Sequence, residues 1–505
     1  MERNLNRWHA MMPKRTMAEK ALGKSLKYMG QNRDKNAWYV LKAIDLLTTG
    51  EKQGLVRKWL HHWMREDGPG RPFLNRVIQN THPRVREKFV GRMVASMIFR
   101  DNVALEHARK KMGMVPPPTM LISPTMRCNY RCEGCYAGSY SRADDMDPDV
   151  FDRVLSEAEA MGINFITILG GEPLVYPHLF EVIEKHPKSF YQIYTNASLI
   201  DQKLAQKMVE MGNIAPQISI NGPREHTDAS RGKGAFDKCV RAMENLREAG
   251  CAFGFSSLVT RQNMDVICTD EWIDFLIEKG VLYGWLFLYM PVGDDPDMSL
   301  MPTPEQRDEM RRFQNHVRAE KPLLMVDFWN DGVLSGGCIA GGKLYFHVNH
   351  NGDVEPCIFC HFATDNIHDK SLYEALNSGF FRNIRSEQPF SYNTLRPCPM
   401  IDHPQTMWNI IRQHGARPTH QGAETMFTAL APEMDEYARG VRKVMDRAWE
   451  TDGYQDWAPQ WMAHCGLETG QIEKRRREFM KSQNLRSFEN RRQTATAPCN
   501  AGCRL

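Results

Sequence analysis

No long uninterrupted run of apolar residues occurs in this sequence, although apolar types make up 42% of its 505 residues. A membrane-spanning helix needs roughly 18 or more consecutive apolar residues, and the most apolar N-terminal stretch, residues 90–99, is interrupted by Gly91 and Arg92. An N-terminal apolar segment of the signal-peptide type is missing as well. We therefore expect a cytoplasmic protein that is at most peripheral to the inner face of the membrane.

An excess of one charge is also missing. The sequence has 65 basic and 61 acidic residues, which leaves a formal net charge of +4. Nucleic-acid-binding domains usually carry a strong basic excess, so we predict no nucleic-acid partner. Local basic runs such as residues 474–477 could contact a membrane or a polyanion, or could form an ordinary solvated face.

Thirteen cysteines indicate metal binding rather than disulfides, because disulfides belong to oxidising compartments. Cys128, Cys132 and Cys135 lie within eight residues, directly after a strand-like apolar segment. Three such thiolates predict a [4Fe–4S] cluster whose fourth iron has no protein ligand. A structural zinc site usually pairs two short motifs to complete a tetrahedron, and no fourth ligand is near this loop.

The order of apolar patterns divides the chain into four predicted domains. Residues 1–115 have helical spacing, 116–325 alternate strand-like and helical segments, 326–410 are glycine- and cysteine-rich, and 411–505 are helical again. Alternating β and α segments require parallel strands, so the fold class is α/β; alternation leaves a doubly wound sheet and a barrel both open. The six predicted strands are 121–126, 166–169, 192–195, 217–220, 254–259 and 285–290.

With this alternation, the CxxxCxxC loop resembles that of the radical S-adenosylmethionine (SAM) superfamily over about residues 119–325. The resemblance implies a partial (β/α)6 TIM-type barrel with the cluster at its C-terminal rim. It also implies an enzyme that reductively cleaves SAM to a 5′-deoxyadenosyl radical, which abstracts hydrogen from an unactivated C–H bond. SAM and a reducing protein such as flavodoxin or ferredoxin are the implied partners.

The resemblance also implies a set of residues that bind SAM. Gly170-Gly171-Glu172-Pro173 matches the segment that contacts the SAM amino group, Ser219 matches a ribose contact, and Arg231 matches the arginine at the SAM carboxylate. Asn196 and Ser256 would line the same C-terminal rim of the barrel. Each residue has a simpler alternative role in a turn, a local hydrogen bond, packing or a solvated surface.

A second cysteine group resembles the start of a SPASM or twitch domain, the auxiliary-cluster extension of this superfamily. Cys338 and Cys357 flank a hairpin signal at Asn351-Gly352, and Cys360 and Cys398 follow. A complete SPASM pattern has a further dense cysteine block that is absent here, so the resemblance implies one auxiliary [4Fe–4S] cluster. Cys360 is the weakest of these ligands, and tetrahedral zinc is the alternative. Cys499 and Cys503 would add a ligand or belong to a free tail.

The segments around residues 289–293 and 327–340 resemble bacterial radical SAM proteins related to membrane-spanning lipid synthases. This resemblance implies C–C bond formation in a lipid hydrocarbon chain and a peripheral membrane contact. Trp38, Trp59 and Trp63 on basic N-terminal helices suit a membrane surface, but they equally suit a helical cap over the barrel. The alternatives are a SPASM-type peptide or protein maturase and a non-enzymatic iron–sulfur or zinc protein.

Overall fold

The computed structural model describes residues 54–89, 113–137, 145–293 and 295–495, together with isolated positions between 36 and 45 and Lys110. The side chains of residues 54–56 and 483–495 are not described. The predictions for residues 90–99, Cys499 and Cys503 lie outside the described residues.

A nine-stranded sheet forms the centre of the molecule, in the order β7-β6-β5-β4-β3-β2-β1-β8-β9. Neighbouring strands from β7 to β8 are parallel, and β9 is antiparallel to β8. The strands are almost continuously buried, as expected of parallel strands covered on both faces. They are β1 Thr119–Thr125, β2 Phe165–Gly170, β3 Phe190–Thr195, β4 Ile214–Ser219, β5 Gly254–Val259, β6 Tyr283–Leu288, β7 Leu324–Asp327, β8 His347–Val348 and β9 Val354–Glu355.

The sheet is strongly curled. Tyr194 on β3 and Phe287 on β6 have ring centroids 5.8 Å apart, although β4 and β5 lie between their strands. In a flat sheet three strand spacings would separate them by about 14 Å. Both side chains therefore point into the hollow of a partial barrel, and the predicted α/β class and barrel are confirmed.

Helices connect the strands and cover the outside of the barrel. Side-chain caps mark the start of two of them: Asp201 caps one helix, and Thr303 forms a capping box with Gln306 ahead of another, which satisfies free N–H groups of the first turn. The helices are α1 Gly54–Trp63, α2 Gly70–Asn80, α3 Pro83–Lys88, α4 Pro148–Ala160, α5 Leu179–Lys185, α6 Gln202–Met211, α7 Arg224–Arg231, α8 Ala235–Ala249, α9 Met264–Ile267, α10 Asp270–Glu278, α11 Pro304–Glu320, α12 Gly332–Ser335, α13 Leu372–Leu376, α14 Gly379–Ser386, α15 Pro404–Gln413, α16 Ala431–Thr451, α17 Tyr454–His464 and α18 Thr469–Ala495.

The described N-terminal helices pack on the base of the barrel, where the strands begin. Arg76 on α2 donates to the backbone oxygens of Pro322, Ile277 and Val281 at 2.6 to 2.8 Å. Phe89, just after α3, contacts the ring of Phe190 at a centroid distance of 5.7 Å. These contacts lie at the end of the barrel opposite the first cysteine loop. No helix in the described part of the chain is long and apolar enough to cross a membrane.

Two features differ from the sequence prediction of six strands and a separate hairpin. A seventh parallel strand, β7, continues the sheet past β6 and runs through the predicted boundary between residues 325 and 326. The hairpin β8–β9 joins the same sheet, because β8 pairs with β1 in the register Leu121↔His347. A partial barrel leaves both edges of its sheet open, and these strands cover them. The division into domains stays a prediction.

Candidate metal and cofactor site

The first cysteine loop follows β1 and is held tightly by the loop after β6. Gly134 has a φ of +68°, and a Cβ atom there would lie 2.8 Å from the Tyr289 ring. A Cβ atom at Gly293 would lie 2.3 Å from the backbone oxygen of Cys135. Only glycine fits such close approaches, so Gly134 and Gly293 allow the cysteine loop and the loop after β6 to pack directly against each other.

The sulfur atoms of this loop lie next to hydrogen-bond donors. The Tyr130 N–H donates to Cys128 Sγ at 3.4 Å, and Asn196 Nδ2 lies 3.9 Å from the same sulfur. Arg231 Nη1 lies 4.0 Å from Cys132 Sγ. Burial raises the pKa of the Cys135 thiol to about 11, with the Cys132 and Cys128 thiols adding to the shift. The three predicted ligands are thus close enough to interact electrostatically.

The predicted Gly170-Gly171-Glu172-Pro173 segment lies directly against this loop. A Cβ atom at Gly170 would be 2.3 Å from the Thr125 oxygen, and one at Gly171 would be 2.2 Å from the Arg127 oxygen. The Gly171 and Glu172 N–H groups donate to those same two oxygens at 3.0 and 2.8 Å. The glycines therefore allow the ends of β1 and β2 to touch, and Pro173 begins a short 3-10 turn.

The Glu172 carboxylate is buried and bonded to the chain itself. It accepts hydrogen bonds from Thr195 Oγ1 at 2.8 Å, the Asn196 N–H at 2.7 Å and the Leu174 N–H at 3.0 Å. Burial raises its pKa. This carboxylate ties the end of β2 to the end of β3, and its predicted contact with the SAM amino group stays a prediction.

The remaining predicted SAM residues lie around the same end of the barrel. Ser219 on β4 and Ser256 on β5 have hydroxyl oxygens 3.3 Å apart. Arg231 at the end of α7 reaches Asn221 Oδ1 at 3.4 Å, while its Nε is buried without a hydrogen-bond partner. Asn221 also accepts the Leu258 N–H at 3.1 Å. Asn221 was not among the site residues predicted from the sequence, although a polar residue just after a parallel strand is a signal for this edge.

The second cysteine group surrounds a cavity. Cys338, Cys357, Cys360 and Cys398 all line the same space of about 30 Å³, which is otherwise almost entirely apolar. Cys360, the weakest of the predicted ligands, lies in the wall with the other three. Within the described ranges, no three or more histidine, cysteine, aspartate or glutamate side chains close on the position of a single metal ion.

Polar contacts orient two of these thiols. The Tyr345 hydroxyl oxygen and Cys357 Sγ lie 2.9 Å apart, and the Ala340 N–H donates to Cys338 Sγ at 3.4 Å. Burial raises the pKa of the Cys338 thiol to about 12, and that of the Cys398 thiol well above its ordinary value. Such thiols ionise only with a compensating positive charge, which a bound metal centre supplies.

Tyr136 connects the two cysteine groups. It follows Cys135, and its ring meets the Phe359 ring edge-on at a centroid distance of 5.7 Å. Phe359 lies between Cys357 and Cys360, and Tyr136 also stacks on His361 at a centroid distance of 6.3 Å, so the two loops are in contact through aromatic rings. This contact was not predicted from the sequence, since nothing in the spacing of Tyr136 relates it to a residue more than 200 positions later.

Comparison with known proteins assigns both regions. Residues 122–272 match the model of the radical SAM superfamily, and residues 338–399 match that of SPASM, an iron–sulfur cluster-binding domain. The mycofactocin maturase MftC of Mycolicibacterium smegmatis is 30% identical over 287 residues, which are 54% of this chain and 71% of that protein. The chain belongs to the radical SAM superfamily. It is therefore an enzyme whose cofactors are a [4Fe–4S] cluster with SAM and an iron–sulfur cluster in the SPASM domain.

Other matches to this radical SAM enzyme include the AdoMet-dependent heme synthase of Nitratidesulfovibrio vulgaris, 25% identical over 54% of this chain and 82% of that protein. Among solved structures, Streptococcus suis SuiB bound to its precursor peptide SuiA is 18% identical, with a TM-score of 0.47 over 62% of this chain and 83% of that one. The resemblance to lipid synthases receives no support from these comparisons. Neither the flavodoxin or ferredoxin partner nor the membrane contact is shown.

The chain's own residues fit these cofactors. The buried, unpaired Nε of Arg231 offers a donor to a carboxylate such as that of SAM, beside the first cysteine loop. The second group offers four thiols around one apolar cavity, which is the donor set of an iron–sulfur cluster. Ligation by each individual cysteine stays a prediction.

Proposed function

We propose that this radical SAM enzyme matures a peptide or protein substrate by abstracting hydrogen from it. The proposal replaces lipid coupling, which was the first prediction from the sequence, with the alternative that the sequence left open. The observation that carries it is the group of four cysteines around the second cavity in a chain 30% identical to a maturase.

The proposal assigns the first cluster to Cys128, Cys132 and Cys135, and the second to Cys338, Cys357, Cys360 and Cys398. When bound, the first cluster and SAM supply a one-electron reductive cleavage of SAM that leads to removal of a hydrogen atom from an unactivated C–H bond. The protein's task is to hold SAM and substrate in position and to exclude water.

Individual residues serve that positioning. Arg231 would bind the SAM carboxylate through its free Nε, while Asn221 holds the far side of the guanidinium at 3.4 Å. Ser219 and Ser256, 3.3 Å apart, would share the ribose side of the site. Glu172 keeps the ends of β2 and β3 together through its hydrogen bonds with Thr195 and Asn196, so the glycines before it stay close to the cysteine loop.

The test is an anaerobic assay of the reconstituted protein with dithionite, SAM and short peptides encoded next to its gene. We expect 5′-deoxyadenosine and a mass change in one peptide, both measured by liquid chromatography and mass spectrometry. The Cys128→Ala/Cys132→Ala/Cys135→Ala variant should give neither product, since it lacks the ligands of the first cluster.

Lipid extracts from cells with and without the protein test the alternative of lipid coupling. Peptides of unchanged mass together with a new species of doubled lipid chains would reject the peptide proposal and restore lipid coupling. Formation of 5′-deoxyadenosine with no change in peptide or lipid would reject both substrate classes.

A further inference from the structure

The inside of the barrel carries an aromatic wall that is not fully packed. Tyr194, Trp285, Phe287 and Phe328 are all partly exposed. Phe287 contacts each of the other three, at ring-centroid distances of 5.8, 6.0 and 5.2 Å. Interiors of parallel barrels are normally filled by layers of side chains. These four rings are therefore not covered by a complete further layer of side chains.

Two glutamines face the same interior. Gln217 on β4 is paired with Tyr194 on β3 and with Gly254 on β5, and paired residues project to the same face of a sheet. A Cβ atom at Gly254 would lie 2.1 Å from Gln217 Oε1. Because residue 254 is glycine, the Gln217 carboxamide can occupy the space that a side chain there would fill. Gln192 precedes Tyr194 by two residues, so it shares that face.

These carboxamides have unused hydrogen-bonding capacity. Gln217 is 0% and Gln192 2% exposed. Neither Nε2 nor Oε1 of Gln217 has a hydrogen-bond partner in the described part of the protein, and Nε2 of Gln192 has none either. Buried polar side chains are nearly always paired, so such exceptions call for an explanation. Bulk water does not reach these atoms, so either an ordered internal water or a partner that enters the barrel pairs them.

The two features together describe the partner. An aromatic wall favours a flat apolar group, which stacks on it or meets it edge-on. The two carboxamides lie deeper in the barrel than most of these rings. They favour a group that carries a hydroxyl or N–H at its inner end, because a carboxamide both donates and accepts hydrogen bonds. A lipid chain offers no such polar atom and would leave the glutamines unpaired.

We infer that Gln217 and Gln192 determine substrate specificity by hydrogen-bonding the polar end of an aromatic side chain that lies against Tyr194, Trp285 and Phe287. The inference rests on the proposed peptide substrate and names the side chain that enters the barrel. Both glutamines are assigned a binding role with no part in cofactor binding. Gln217 lies one layer below the Ser219–Ser256 pair, and Gln192, which pairs with Ala215, lies one layer lower.

Three probes of shared backbone chemistry test the inference by equilibrium dialysis against the reconstituted, SAM-loaded protein. We expect N-acetyl-tyrosinamide to bind most tightly, N-acetyl-phenylalaninamide more weakly and N-acetyl-leucinamide weakest. Gln217→Leu should weaken binding of the tyrosine probe by about tenfold or more and leave the phenylalanine probe almost unchanged. Gln192→Leu should act in the same direction, and Gln202→Leu, at an exposed position on α6, should change nothing.

Thermal unfolding of the same variants gives a readout that does not depend on activity. Leucine removes unpaired buried polar atoms, so Gln217→Leu should unfold at the same temperature as the wild type or higher. A clear fall in the unfolding temperature would instead show that ordered water pairs these amides structurally, and would overturn the inference.

Equal binding of the three probes, or unchanged binding of the tyrosine probe by both leucine variants, would also overturn it. If the wild type still changes the mass of a peptide in that case, the proposed function stands and only the specificity role fails. If the wild type discriminates between the probes but modifies no peptide, the specificity role stands and the proposed function fails.

Discussion

Cysteines in this protein differ in what surrounds their sulfur atoms. The sulfur atoms of Cys128 and Cys132 have nitrogen donors within 4.0 Å, so they are placed to accept hydrogen bonds, as a metal-bound sulfur does. The Cys251 thiol instead lies 3.9 and 3.6 Å from the backbone oxygens of Ile214 and Ala252, to which it donates, so it packs as a thiol. The surroundings therefore separate two kinds of cysteine.

Replacing the three cysteines of the first loop by alanine should remove about four iron atoms per chain. It should also abolish 5′-deoxyadenosine formation, because SAM would have no open iron to bind. Iron analysis and chromatography of the reconstituted protein measure both effects. Cys251→Ala is the matched control and should keep both. Full iron content in the triple variant would show that the ligands lie elsewhere.

At the scale of elements, the β8–β9 hairpin joins the second cysteine group to the barrel sheet. Its turn contains Gly352, with a φ of +83°, and a Cβ atom there would lie 2.7 Å from Ile367 Cγ1. Gly415 also has a positive φ, +58°, but nothing lies within 4 Å of the position of its Cβ. The two glycines share the backbone requirement and differ in the space around them.

We expect Gly415→Ala to lower the free energy of unfolding by about 1 kcal/mol, the cost of a left-handed conformation for alanine. Gly352→Ala should cost about 1–3 kcal/mol more, because overpacking adds to that strain. Urea unfolding of both variants measures the difference. Equal losses would mean that the hairpin can move away from Ile367 without cost.

At the scale of the whole molecule, one buried ion pair connects the barrel to the second cysteine group. Arg307 on α11 and Asp402 have fully buried side chains, with Nη1 and Oδ1 2.6 Å apart. Asp402 Oδ2 in turn accepts the N–H of Cys398 at 3.0 Å. The position of a predicted cluster ligand therefore depends on a helix that follows the last strand of the six predicted from the sequence.

Arg307→Met should destabilise the protein by about 3–5 kcal/mol, since it leaves the Asp402 carboxylate buried and unpaired. Adding Asp402→Asn removes that charge but keeps an acceptor for Cys398, so the double variant should be more stable than Arg307→Met alone. Arg312→Met changes an exposed arginine of the same helix, paired with Asp308 at 3.3 Å, and should cost less than about 1 kcal/mol. Urea midpoints of the variants measure these differences; a double variant no more stable than the single would contradict the account.

Local signals in the sequence predicted much of this architecture. Strand-length apolar runs and turn signals depend on neighbouring residues. The predicted strand 254–259 accordingly matches β5 at both ends, and the hairpin signal at Asn351-Gly352 falls between β8 and β9. The residues missed, such as Tyr136 and Asn221, act through partners distant in sequence. The amides of Gln192 and Gln217 were also missed, because a glutamine in an apolar strand gives no sign of whether it is paired. Whether such a side chain finds a hydrogen-bond partner depends on which strands the curled sheet brings opposite it.

The pairing of β8 with β1 has a consequence for the synthesis of the protein. Ser123 and His347 hydrogen-bond at 2.7 Å across 224 residues of sequence. At about 5–20 residues per second, the ribosome needs roughly 10–45 seconds to supply the strand that covers this edge. During that interval the growing chain carries a bare strand beside its first cysteine loop, open to pairing with other nascent chains. Slower translation lengthens that exposure, so chaperone supply and expression temperature govern how much chain reaches the folded state.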